Sequence, residues 1–377
     1  MITAETINRI VRFKGNGLPV ISLYARVPEE KHGRQRVIAG EVDHLLHEIR
    51  PLAEDHNLGH DAMESVRGDI KRITEAVGED RWCPGGIALF SCSGRDFFEE
   101  VPLPRGVRER VVVDENPLIR PMFAVLDELH RSCLVVVDRQ AAHTFELYGD
   151  DMRETGSLST PGDPGRDQDK AREIVKRHYK AVATMLDQMH RDDRFELLII
   201  GGHHGEVPYF LEFLSHDLRG CVAGTLTLDD DSRNRWAEIK DKATAIVDQY
   251  ERHEEQQSVA DLVETSAAHG LAVLGLTRCL WAGTVGAVRE LLVQNDVAVP
   301  GVVCDHDRWL GGGGNTCPLC GRPLRHVPDV IDELVQMIID DGSSVEHVAA
   351  DTALKRHLTG ATLRFPLPPA PAVLAAS

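Results

Sequence analysis

The feature that most constrains this chain lies between residues 133 and 228, where apolar strand-like runs alternate with helical stretches. "CLVVVD" turns at residues 139–141 and returns as "HTFELYG", the pattern of a hairpin. After a loop of Gly, Pro and Asp comes a long segment in which Ala171, Ile174, Val175, Val182, Met185, Leu186 and Met189 recur at helical spacing. "FELLIIGG" then reads as a buried strand, "VPYFLEFLSHDL" as a helix and "CVAGTLTL" as a further strand. Each strand and helix stripe must bury its apolar side against another element, so this order requires an α/β layer.

Two more segments flank that layer. Residues 1–116 begin with a short helix and the alternating strand "PVISLYARV", followed by two helical stretches. "GIALFSC", "DFFEEVPLP" and "RERVVVD" come next, separated by turn residues, and imply a meander of adjacent antiparallel strands. This is an α+β domain without a chemical motif. From residue 233 a polar, charge-rich helix connects into a third segment, read as helix "SVADLVETSAAHG", helix "AVLGLTRCLWAG", strands "AVRELLVQ" and "PGVVC", helix "DVIDELVQMIIDDG" and two closing strands. The expected fold class is α/β and α+β in three domains: 1–116, a central α/β domain at 117–250, and an α/β/α domain at 251–366 with a Cys-rich insertion at 304–326. The tail, 367–377, has too little to bury and is expected to be disordered.

The 377 residues carry a formal net charge of −18. That excludes wholesale coating of nucleic acid, so any RNA contact must come from a local basic patch. Residues 162–182, "GDPGRDQDKAREIVKRHYKAV", contain one: Lys170, Arg172, Lys176, Arg177 and Lys180 fall mostly outside the apolar stripe. Two readings stand, a phosphate-contacting helix or an ordinary solvated face partly neutralised by Asp169, Glu173 and Asp187. No apolar run reaches the roughly 18–20 residues of a membrane span, and the start lacks a signal-peptide core, so a cytoplasmic location is expected.

The order of elements and several phrases resemble the archaeal and eukaryotic class-one release factor family, the family of Pelota, in a bacterial version. "LWAGTVGAVRELLVQND", "DDGSSVEHV" and "LTGATLRFPL" resemble its C-terminal domain, and "PGRDQDKAREIVKRHYKAVATMLDQM" resembles its catalytic loop and the basic helix after it. The resemblance implies a Gly-Gly-Gln tripeptide that enters the ribosomal peptidyl-transferase centre and promotes attack of water on the ester of peptidyl-tRNA. Here the matching positions read Arg166-Asp167-Gln168. Gln168 keeps its place, both glycines are gone, and Gly165 one residue earlier supplies part of the flexibility if the loop is offset. The other reading of these residues is a surface loop capped by Asp167 or Asp169 at the helix start.

The family's codon-reading Asn-Ile-Lys-Ser loop and Tyr/Cys/Phe motif are absent from the first domain, so stop-codon reading is not expected. The resemblance therefore implies a ribosome-binding translation factor acting in rescue or hibernation, on the Balon-like or peptidyl-tRNA hydrolase-like branch. The alternatives are an active peptidyl-tRNA hydrolase using Gln168 and an interaction protein that has lost ribosome binding. Implied partners are the ribosome, tRNA or rRNA, and a translational GTPase such as elongation factor Tu.

The insertion "CDHDRWLGGGGNTCPLCGRPLRH" contains Cys317-Pro-Leu-Cys320-Gly, a knuckle that presents two thiolates to one Zn²⁺. Cys304 is the natural third ligand, and His306 or His326 the fourth, for a structural zinc; reduced surface cysteines or a redox pair are the alternatives. The other five cysteines are scattered singly, as buried free thiols are. "GGHHGEVPYF" tempts a reading of His203 and His204 as a metal pair or of its glycines as a phosphate loop. Adjacent side chains diverge and no Gly-Lys follows, so a strand-to-helix loop is expected, and residues 229–231 read as a solvated cap.

Overall fold

The computed structural model describes residues 4–28, 30, 33–55, 58–79, 81–127, 130–149, 151–161, 168–193, 195–229 and 235–370. Its first segment comprises α1 (Ala4–Arg12), β1 (Val20–Val27), α2 (Arg34–Ile49), α3 (His60–Val77), β2 (Gly85–Cys92), β3 (Phe97–Leu103), β4 (Arg110–Asp114) and α4 (Arg120–Asp127). The strands form one antiparallel sheet ordered β3-β2-β1-β4. The expected meander is therefore interrupted: β4 crosses to pair with β1, from Val20 opposite Asp114 to Tyr24 opposite Arg110. Strand β1 is buried between α2 and α3 on one face and the α1 and α4 side on the other. Its backbone groups need partners at both edges, and β4 supplies the second.

The middle segment comprises β5 (Ser132–Val137), β6 (Ala141–Tyr148), β7 (Asp151–Ser159), α5 (Gln168–Asp193), β8 (Leu197–Gly202), α6 (Val207–Leu211), α7 (His216–Gly220), β9 (Val222–Thr227) and α8 (Trp236–Ala267). Its sheet is ordered β7-β6-β5-β8-β9, with β5, β8 and β9 parallel and β6 and β7 antiparallel. Tyr179, Val182 and Leu186 of α5 pack on one face with Phe210 and Leu218. Ile239, Ala243 and Val247 of α8 pack on the other, completing the α/β layer. Strand β7 escapes the apolar pattern because it is a largely exposed, polar edge strand. The helix expected over 207–218 is divided, and Ser215 restarts the second half by accepting from Leu218 N.

The last segment adds β10 (Ala272–Leu274), α9 (Leu276–Thr284), β11 (Val288–Gln294), β12 (Gly301–Val303), β13 (Leu310–Gly311), β14 (Arg325–Val327), α10 (Val330–Asp340), β15 (Ser344–Val348), α11 (Leu354–His357) and β16 (Thr359–Leu363). Residues 272–283, expected as one helix, divide at Gly275, whose φ of 93° is left-handed and ends β10 before α9 begins. One sheet is ordered β10-β16-β11-β15, with β11 and β15 parallel; β12 forms a second with β13 and β14 on its two sides, β13-β12-β14. Leu367 packs against the core beside Trp281, whose Nε1 donates to Pro368 O at 2.9 Å.

Residues 1–127 and 255–377 form one compact unit, and 128–254 a second. Within the first, a buried polar seam joins its two chain segments. Arg120 Nη2 donates to Asp329 Oδ2 at 2.7 Å and Arg120 N to Asp332 Oδ1 at 2.8 Å. Asn116 Nδ2 donates to Glu333 Oε1 at 3.1 Å, and Gln336 Nε2 to Val11 O at 2.5 Å. Arg325 lies within 3.6 Å of Asp114, Glu115, Asp305 and Glu333.

Candidate nucleic-acid interface and metal centre

In the middle unit the parallel strands β5, β8 and β9 all finish at the same end of the sheet as β7, the strand before α5. Thr160, just past β7, is tied there by its N–H to Gln140 O at 2.8 Å. Its Oγ1 lies 2.8 Å from Nδ1 of His178, which is fully buried. Burial pushes the His178 pKa down, partly offset by the Ala141 backbone and the charge of Asp138.

His178 is also the first buried residue of α5: none of residues 168–177 is buried. Val175, partly buried, already packs against the core, so the seven residues 168–174 carry the helix about 10 Å beyond its packed part. Gln168 is its exposed first residue. Gly165, Arg166 and Asp167 lie outside the described residues. Lys170, Arg172, Lys176, Arg177 and Lys180 are all exposed, and Glu173 is the sole acid between 170 and 180. No ion pair to Arg172, Lys176, Arg177 or Lys180 is present among the described residues. Exposed Arg191, about three turns beyond Lys180, continues this face and was not singled out in the sequence.

Cys304 follows β12 directly, and the turn at residues 317–321 closes through Gly321 N to Cys317 O at 2.9 Å. Leu319 N points at Cys317 Sγ, 3.4 Å away, as in a thiolate knuckle. The Sγ atoms of Cys304, Cys317 and Cys320 and a carboxylate oxygen of Asp307 all lie within 4.8 Å of one another. Cys304 Sγ is 3.6 Å from Cys320 Sγ, and Cys317 Sγ is 3.6 Å from Asp307 Oδ2. Such a cluster could hold a metal ion. His306 is not in this donor set: its Nδ1 lies 2.8 Å from Asp307 Oδ1, so it braces the carboxylate instead. His326 is exposed on β14 and is likewise outside the set.

Burial raises the Cys304 pKa, but the backbone amides of Asp307 and His306 and the neighbouring thiols bring it below the usual thiol value. The hydrogen bond to Asp307, then burial, pushes Cys320 up to about 12. Asp307 was missed in the sequence, although Cys304-Asp-His-Asp307 repeats the spacing of Cys317-Pro-Leu-Cys320. His203 and His204 are exposed in the loop from β8 to α6 and belong to no donor cluster among the described residues. Asp229 is exposed; residues 230 and 231 lie outside the described residues.

The chain is similar to the release factors. Residues 117–255 match the family model described as Bacterial archaeo-eukaryotic release factor family 10. Peptide chain release factor subunit 1 of Pyrococcus abyssi (strain GE5 / Orsay) is 26% identical over 415 residues, spanning 96% of this chain and 97% of its own. The protein of the same name from Thermococcus onnurineus (strain NA1) is 22% identical over 331 residues, spanning 77% and 80%. Among solved structures, S. cerevisiae Dom34, a translation termination-like factor interacting with Hbs1, aligns over 74% of this chain and 75% of its own, at 12% identity and a TM-score of 0.44. Among the described residues, no helix is long and apolar enough to cross a membrane.

Proposed function

We propose that this chain is a ribosome-binding translation factor that inserts the overhanging end of α5 into ribosomal RNA, in rescue or hibernation, and occupies that site without hydrolysing peptidyl-tRNA. The observation that carries this reading is the overhang itself. Seven residues ahead of the first that meets the core, 168–174, project Gln168 on a rod bearing Lys170 and Arg172, with Lys176 and Arg177 exposed at its base, in a chain whose net charge is −18. Like charge elsewhere repels RNA, so a docking surface has to be concentrated on one element. Arg166 and Asp167 favour occupancy over hydrolysis: neither offers the backbone freedom of glycine, and Asp167 would repel a developing oxyanion. Delivery by a translational GTPase fits the same reading.

Purified protein should pellet with ribosomes, and a Lys176→Glu, Arg177→Glu, Lys180→Glu variant should pellet at least ten-fold less well. The parent's binding should weaken steeply with salt as phosphate contacts release counterions. Equal pelleting of parent and variant would remove the basic helix from the account.

For the Cys304, Cys317, Cys320 and Asp307 cluster, zinc is the ion we assign. Three thiolates select a soft, tetrahedral ion, and four protein ligands leave no open position for catalysis. The ion would be structural, closing the loop between β12 and β14.

A further inference from the structure

We infer that Tyr209, with Arg172 and Lys176 beside it, forms a binding site for one unpaired RNA nucleotide, the base stacking on the phenol ring and the flanking phosphates meeting the two cations. The inference deepens the RNA contact proposed above and rests on it. Helix α6 buries Val207 and Phe210 in the core but leaves Tyr209 40% exposed. That ring is nonetheless held. It meets Phe213 edge-on, with centroids 5.1 Å apart and planes at 86°, and Tyr179 at 5.7 Å and 58°. Tyr179 is itself buried against Phe210 and Phe213, so Tyr209 stands on a fixed aromatic base. A ring held in this way loses little further freedom on stacking with a base.

Tyr179 lies on α5, and helical geometry places Lys176 one turn and Arg172 two turns from it on the same side, towards the overhang. Both cations are exposed and have no ion pair among the described residues. The acid nearest the ring in sequence on the inner side, Glu206, accepts from Arg139 Nε at 3.1 Å. An aromatic platform beside unneutralised cations is the combination that binds single-stranded nucleic acid, since stacking needs an unpaired base and cations need phosphate. A duplex, whose bases are stacked on one another, offers the cations phosphate but the ring nothing. Glu212, one turn beyond Tyr209, is an exposed acid of this surface, so Glu212→Lys should tighten the same complex.

The test uses the full chain and a short single-stranded RNA containing 2-aminopurine, whose fluorescence falls on stacking. The parent should bind it in preference to the corresponding duplex and quench the probe. Tyr209→Ala should weaken binding about ten-fold or more, the effect of one base–aromatic stack, and lose the quench; Tyr209→Phe should keep both. Lys176→Glu should weaken binding and flatten its salt dependence while leaving the quench at saturation. No binding by the parent, a duplex bound as tightly, or an unchanged quench in Tyr209→Ala would each overturn the site. Ribosome pelleting keeps the two ideas apart. Pelleting that depends on the α5 cations with unaltered RNA stacking in Tyr209→Ala defeats only the nucleotide site, whereas stacking without any pelleting defeats only the proposed ribosomal role.

Discussion

Asp332 is 7% exposed, and burial, followed by the charge of neighbouring Asp329, raises its pKa to about 8. The Arg120 backbone N–H and guanidinium pull the other way and do not restore it. A carboxyl with a higher pKa folded than unfolded holds its proton more tightly in the folded chain. Its contribution to stability is therefore complete below about pH 4 and is lost as pH rises towards 8. Asp332→Asn keeps an Oδ1 to accept from Arg120 N and removes the titration. Denaturant unfolding between pH 5 and 8 should show the variant losing less stability than the parent, by up to about 1.4 kcal/mol per pH unit; parallel pH profiles would contradict this. At the cysteine cluster, the purified parent should carry one zinc per chain and Cys317→Ser with Cys320→Ser none. Asp307→Ala should lower affinity more than His306→Ala, because the first removes a ligand and the second only its brace. Metal analysis finding no zinc in the reduced parent would end the assignment.

Helix α5 is where sequence and structure agree most closely. Its apolar stripe, Val175, Val182, Leu186 and Met189 among others, meets the sheet, and its cations face outwards. Such an element is legible because the period of its pattern is its own geometry. Strand β7 and the crossing of β4 were not legible, since an exposed edge strand has no apolar alternation and strand order depends on long-range pairing. The cysteines announced their own cluster through local spacing, and Asp307 could have been found by the same spacing. Tyr209 could not, because its meaning comes from a ring contact with Tyr179, thirty positions away. The anchor of the overhang, His178, leads to a prediction at this scale. His178→Ala leaves Thr160 Oγ1 without its ring partner and opens a gap at the base of the rod. It should cost about 1–3 kcal/mol and speed amide exchange in 168–177 while β8 stays protected. Unchanged exchange there would show that the anchor lies elsewhere.

Over the whole chain, buried polar residues join segments distant in sequence. Arg120, Asn116, Asp329, Asp332 and Gln336 are all buried in the seam between residues 1–127 and 255–377. The negative charge remains on both units, and the basic stretch of α5 is the exception on which the functional account depends. Replacing Gln168 with a photoreactive benzoylphenylalanine and irradiating the protein bound to ribosomes tests that account most directly. Crosslinks should form to large-subunit ribosomal RNA at the peptidyl-transferase centre and be lost in the Lys176→Glu, Arg177→Glu, Lys180→Glu background. Ribosome-bound protein that crosslinks from position 168 only to protein, or to RNA far from that centre, would contradict it.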